Sequence, residues 1–150
     1  MREGRCARAG QRSVLRNTLY LLDTNIASWA IIGNSAAVDR KLAAVSVTDV
    51  AISSVTEAEL RYGVARHPEA ARLRTLVEDF LMTVSILPWD SAVARQYGAL
   101  RAGLERDGRA MGNLDMMIGA HALALGAVMV TNDGAFSRIA KLKVVDWTKG

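Results

Sequence analysis

Four acidic side chains stand at punctuated places in this 150-residue chain: Asp23 in L-L-D-T-N, Glu59 in T-E-A-E-L-R-Y-G, Asp115 in G-N-L-D-M-M-I and Asp133 in V-T-N-D. Asp23 and Asp133 come after short apolar stretches that read as buried strands. Glu59 and Asp115 sit near the start of segments that read as helices. Carboxylates without Cys or His among them are donors for a hard divalent cation, and such a cluster points to phosphate chemistry. Two unit charges about 4 Å apart repel by roughly 4 kcal/mol at an effective dielectric near 20. Acids gathered in one place therefore call for a cation or a proton. Each acid also has a local alternative: Asp23 and Asp133 as helix caps, Asp115 as a first-turn acid, Glu59 as a solvated helix residue.

The elements that must position these acids follow from the hydrophobic pattern. Tyr20–Leu22 is a short apolar run ended by Asp23-Thr24-Asn25, which is turn and cap chemistry. Helices are expected over 26–32 and 36–45, a strand over Val50–Ile52, and a helix from Ser53-Ser54 that stops before His67-Pro68. Pro68 suits the first turn of a further helix running to about Met82. A strand at Val84–Leu87 leads to a long helix capped by Asp90 or Ser91 and ending at Arg106. Asn113 is expected to cap the next helix, which closes at Gly126. A strand at Ala127–Val130, a short helix around Phe136 and a last strand at Lys143–Val145 complete the chain.

Strands alternating with helices, with near-continuous apolar strands, predict an α/β sandwich whose central sheet is mainly parallel and flanked by helices. Ligands of such sheets bind beyond the carboxyl ends of the strands. Asp23 and Asp133 fall at that edge. The side chain of Glu59 can reach back toward the start of its helix, and Asp115 lies in the first turn of its own.

Composition bounds the rest. With 51% hydrophobic and 23% charged residues, the chain reads as one globular domain with length enough for a core. One Cys (Cys6) and two His (His67, His121) exclude a disulfide framework and a four-ligand zinc site, and they fit a reducing cytoplasm. The apolar run from Met116 to Val130 is interrupted by Gly119, His121 and Gly126, so no membrane span is expected. Of 19 basic and 15 acidic residues, Arg2, Arg5, Arg8, Arg12, Arg16 and Glu3 lie in residues 1–17, which hold the whole net charge of +4. The remainder is balanced, so any nucleic-acid contact must rest on local arginines such as Arg61, Arg66, Arg72, Arg74, Arg101, Arg106 and Arg109. Residues 1–17 read as a disordered Arg-rich arm with some likeness to a transit peptide; the expectation is a start site nearer Val14 or Leu15.

L-L-D-T-N, I-S-S-V-T-E-A-E-L-R-Y-G, G-N-L-D-M-M-I-G-A-H-A-L-A-L-G-A and V-T-N-D-G-A-F together resemble the PIN-domain ribonucleases, specifically VapC-type toxins of toxin–antitoxin systems. The resemblance runs from about Tyr20 to Trp147 and makes residues 18–150 the PIN domain, a PIN-like three-layer sandwich. It implies Mg²⁺- or Mn²⁺-dependent cleavage of RNA, a cognate antitoxin, a homodimer and no membrane. The family's acids fall on Asp23, Glu59 and Asp115, with Asp23 and Asp115 holding the metal and Glu59 binding metal or orienting the attacking water. Many relatives carry the fourth acid beside the Phe of a longer turn; here Asp133 is the one candidate. Asn25 would orient Asp23 or meet a phosphate, and Thr56 would hydrogen-bond into the cluster; turn and helix-start roles stand beside these readings. Asn132 reads as a turn residue and His121 as a packed core residue. Trp29, Trp89 and Trp147 read as core or interface. A non-catalytic partner that acts with an antitoxin in operon repression is the competing function. Another α/β phosphohydrolase fits less well, because position 25 is Asn where a D-x-D motif needs its second Asp.

Overall fold

A computed structural model describes residues 18–150, so the expectations for the Arg-rich arm lie outside the described residues. Five strands form one sheet: β1 Tyr20–Leu22, β2 Val50–Ser53, β3 Ser85–Leu87, β4 Val128–Val130 and β5 Val144–Val145. Their order is β3-β2-β1-β4-β5, and every pairing is parallel. Six helices surround the sheet: α1 Thr24–Ile32, α2 Ala36–Ala44, α3 Ser54–Ala65, α4 Ala71–Thr83, α5 Ser91–Arg106 and α6 Asn113–Leu125.

Alternation along the strands divides the core in two. Leu22, Ile52 and Val130 face one side, where they pack with Ile26, Val38, Leu60, Val77 and Leu81. Leu21, Ala51 and Met129 face the other, against Leu104, Met116, Ile118 and Phe136. A strand with both faces covered must be apolar throughout, which is why β1, β2 and β4 read as continuous apolar runs. The outcome is the expected helix–sheet–helix sandwich. No described helix is long and apolar enough to cross a membrane.

Two local expectations are corrected, and one element is added. Helix α4 starts at Ala71 rather than in the turn of Pro68, because His67–Ala70 closes a separate turn in which the Ala70 N–H donates to the His67 carbonyl at 3.0 Å. Asn113 is already helical, and Gly112 takes the cap position without a side-chain bond. A 3₁₀ turn over Val47–Asp49 precedes β2. Of the two residues offered as the cap of α5, Asp90 is the one, its carboxylate accepting from the Val93 N–H at 3.1 Å.

One glycine matters to the site's frame. A Cβ on Gly119 would stand 2.6 Å from Ile139 Cδ1 and 3.7 Å from the Phe136 ring. The bare backbone lets α6 lie close against the 3₁₀ turn Gly134–Arg138 that follows Asp133.

Candidate active site

The order of the sheet explains why residues far apart in sequence meet. After β1 the chain moves to β2 and then β3 on one side, and later returns to β4 on the other side of β1. The carboxyl ends of β1 and β4 are thus neighbours at the point where the winding reverses, the place where open α/β sheets form their crevices. The Asp23 N–H donates to the Val130 carbonyl at 3.0 Å and extends the ladder to that edge.

Asp23 is 3% exposed. Its Oδ1 caps α1 by accepting from the Ile26 N–H at 2.8 Å, and its Oδ2 accepts from the Thr131 hydroxyl at 2.5 Å. Each oxygen keeps a lone pair after these bonds. Burial pushes the Asp23 carboxyl above the usual range; the Thr131 and Ile26 hydrogen bonds oppose that rise, and the charges of Asp133 and Glu59 add to it. One side chain thus caps α1 and is tied to the end of β4.

Glu59 stands in the second turn of α3, half-buried, and its Oε1 accepts from the Thr24 hydroxyl at 2.7 Å. The same hydroxyl lies 3.4 Å from Thr56 Oγ1. Asp115 occupies the first turn of α6. Burial is the first cause of its raised pKa, followed by the charges of Asp133, Asp23 and Glu59. Asp133 is exposed; its Oδ1 caps the 3₁₀ turn through the Ala135 N–H at 2.9 Å, and its own N–H donates to Thr131 Oγ1 at 3.0 Å.

The charges felt at Asp23 and Asp115 bring all four acids into one electrostatic neighbourhood. They are not gathered tightly enough for three of them to share one ion: among the described residues no group of three His, Cys, Asp or Glu side chains is so placed. A divalent cation held by two carboxylates and otherwise by water still fits. Magnesium dehydrates reluctantly and commonly takes one or two protein carboxylates. Asp23 and Asp115 supply hard oxygen donors; burial first, and the neighbouring carboxylates after it, raise the pKa of both.

The other expected residues separate. Thr56 is fully buried beside Thr24, within reach of the cluster's hydroxyl. Asn25 is exposed in the first turn of α1 and makes no side-chain hydrogen bond among the described residues. His121 is core, as expected, with 1% exposure. Arg61 is held by Glu57 and Glu78, and Arg101 by Glu105 and the Tyr97 hydroxyl. Arg66 lies 5.2 Å over the Tyr62 ring and lines a cleft of about 200 Å³ that also reaches Thr24 and Glu59.

Sequence reasoning missed Thr24 and Thr131, the two hydroxyls that hold the acids. Both lie inside the quoted motifs, directly after Asp23 and two positions before Asp133. A hydroxyl beside each strand-end acid was the available signal.

Comparison with known proteins agrees with this geometry. Residues 20–142 match the PIN domain family. The chain is 36% identical over 130 residues to the tRNA(fMet)-specific endonuclease VapC of Shigella flexneri, covering 86% of this chain and 98% of that one. It is 35% identical over 133 residues to Ribonuclease VapC2 of Rickettsia felis, covering 87% and 99%. Among solved structures, VapBC2 of Rickettsia felis bound to a promoter DNA fragment superposes with a TM-score of 0.80 at 33% identity, over 87% of this chain and 99% of that one. DNA-bound VapBC of Salmonella typhimurium gives 0.81 at 32%, over 87% and 98%. With a parallel sheet that delivers acids to the β1–β4 crevice, and with relatives matched over nearly their whole length, the chain belongs to the PIN-domain family, among its VapC ribonucleases.

Proposed function

We propose that this chain is an endoribonuclease, the toxin of a VapBC-type toxin–antitoxin pair, and that its cleavage of RNA phosphodiester bonds depends on Mg²⁺ or Mn²⁺. The observation that carries the reading is the junction at the ends of β1 and β4, where Thr131 joins Asp23 to the turn of Asp133 and Thr24, next to Asp23, holds Glu59, with Asp115 in the first turn of α6. Relatives named as ribonucleases and neighbours solved as VapBC complexes support it.

In this reading Asp23 and Asp115 hold the cation. A bound divalent ion polarises the phosphodiester and stabilises the charge that develops on its oxygens. Glu59, aligned by Thr24, orients and deprotonates the attacking water. Asp133 contributes from the β4 side, where Thr131 links it to Asp23. Asn25, exposed in the first turn of α1, would meet a phosphate, and Thr56 would support Thr24. Arg66 offers a positive charge at the far end of the cleft for the RNA backbone. Further parts of the proposal are a cognate antitoxin that masks this edge, a homodimer and a cytoplasmic site of action.

The DNA-bound neighbours keep a second reading in view, a non-catalytic partner that acts with an antitoxin in operon repression. One experiment separates the two. The chain is expressed alone in a bacterial host, beside Asp115→Asn. The nuclease reading expects growth arrest and cleaved RNA with the wild type and neither with the variant. Equal arrest by both, or no RNA cleavage by either, overturns it.

A further inference from the structure

A second polar contact, away from the acids, joins the elements that carry them. His121 Nδ1 lies 2.8 Å from Ser53 Oγ, and both residues are buried. Ser53 ends β2 and caps α3, its Oγ accepting from the Val55 N–H at 3.1 Å. His121 belongs to α6, the helix of Asp115; Ser53 begins α3, the helix of Glu59. In register Ser53 lies one step beyond the Leu22–Ile52 pair, at the level of Asp23 on the neighbouring strand. Trp89 adds two bonds of the same sense: its N–H donates to Ser54 Oγ at 3.1 Å and its indole N–H to the Met117 carbonyl at 3.0 Å.

We infer that His121 is a positioning residue for the reaction: through Nδ1 and Ser53 it fixes α6 against the end of β2 and the start of α3, and so sets Asp115 relative to Asp23 and Glu59. The inference rests on the metal-dependent nuclease reading above. The physical need is plain. The charges of Asp23 and Glu59 act on Asp115, so like charges push the two helices apart. A buried hydrogen bond from α6, six residues beyond Asp115, to the residue that caps α3 opposes that force without adding charge.

Packing alone does not explain the imidazole. Its Nε2 is buried and no protein group pairs with it among the described residues. An apolar side chain of similar size would avoid that penalty. Burial lowers the pKa of His121, against a smaller opposing effect of Asp90, so the ring is held neutral and bonds to Ser53 as a neutral partner.

The test exploits the fact that Asn places a polar atom near Nδ1 whereas Gln places one near Nε2. Purified wild type, His121→Asn, His121→Gln, His121→Leu and Ser53→Ala are compared by Mn²⁺ calorimetry, RNA-cleavage kinetics and metal-free melting. The expected result is a loss of about fivefold or more in Mn²⁺ affinity and about tenfold in kcat for Gln and Leu, with KM for RNA little changed. Asn recovers both to within about threefold, and Ser53→Ala matches Leu. If Leu or Ser53→Ala does not fold, the Asn and Gln pair decides alone. Equal behaviour of Asn and Gln, whether intact or impaired, overturns the positioning role while leaving the nuclease reading standing. A wild type that neither binds Mn²⁺ nor cleaves RNA overturns the nuclease reading, and this inference with it.

Discussion

Thr131 and Asp23 are joined across 108 positions by a hydrogen bond from the Thr131 hydroxyl to Asp23 Oδ2. The same oxygen of Thr131 accepts from the Asp133 N–H. One hydroxyl thus fixes the acid that ends β1 and the turn that follows β4.

Replacing that hydroxyl leaves a buried carboxylate short of a donor. Thr131→Val is therefore expected to lower stability by about 1–3 kcal/mol, read by denaturant unfolding in chelator, and to raise the Asp23 pKa further, because a bond that now opposes the rise is gone. Unchanged stability would remove Thr131 from the account.

Asp115 gives a signed prediction against pH. Its folded pKa lies above the ordinary 3.8. A group raised in this way favours folding below the unfolded pKa and loses that contribution as pH rises through the folded value. Asp115→Asn mimics the neutral form at all pH. In chelator it should melt above wild type at pH 7, with the gap closing as pH falls toward 3.8. His121, whose pKa is lowered, destabilises both proteins alike as pH falls below 6.5, so it cancels in the difference. A gap that stays constant or widens on acidification contradicts the assignment.

Metal should reverse that order. A ligand that binds only the folded state stabilises it by about 2.7 kcal/mol at a concentration one hundred times its Kd. Mg²⁺ or Mn²⁺ should raise the melting temperature of wild type well beyond that of Asp23→Asn or Asp115→Asn, as scanning calorimetry would record. Equal shifts in all three proteins would place the cation elsewhere.

Asp133 separates charge from capping. Asn caps as well as Asp, whereas Ala costs about 1 kcal/mol of cap stability. Asp133→Asn should melt no lower than wild type in chelator, since the cap is kept and a charge that repels Asp23 and Asp115 is gone, and should lose about tenfold in cleavage rate, equal to about 1.4 kcal/mol of transition-state stabilisation. Full activity in Asp133→Asn would leave Asp133 as a cap of the 3₁₀ turn only.

Much of this was legible because it is local. Apolar runs such as Leu21-Leu22 and Met129-Val130, with caps at Asp23 and Asp90 and a closing Gly126 at φ +64°, specify strands and helix ends within a few residues of each other. Asp23, Asp115 and Asp133 stand out in the sequence because each lies at such a boundary, whereas Glu59 lies a turn inside α3. Pro68 misled, since its fixed φ suits a turn as well as a helix start, and the chain there closes a turn through Ala70. The partnerships of Thr24 with Glu59, Thr131 with Asp23 and Ser53 with His121 were not legible. They join residues 35, 108 and 68 positions apart, and only the strand order brings those together. His121 was read correctly as core, but its neutral tether to Ser53 depends on a contact that no helical period encodes.

We propose Asp23 and Asp115 as the metal-dependent RNA-cleaving centre. The most direct measurement is cleavage of total RNA by antitoxin-free protein with Mg²⁺, with Mn²⁺ and with EDTA, beside Asp23→Ala and Asp115→Ala. Cleavage is expected from the wild type in either metal, none in EDTA, and none from either variant. Cleavage that survives EDTA, or persists undiminished in both variants, would contradict it.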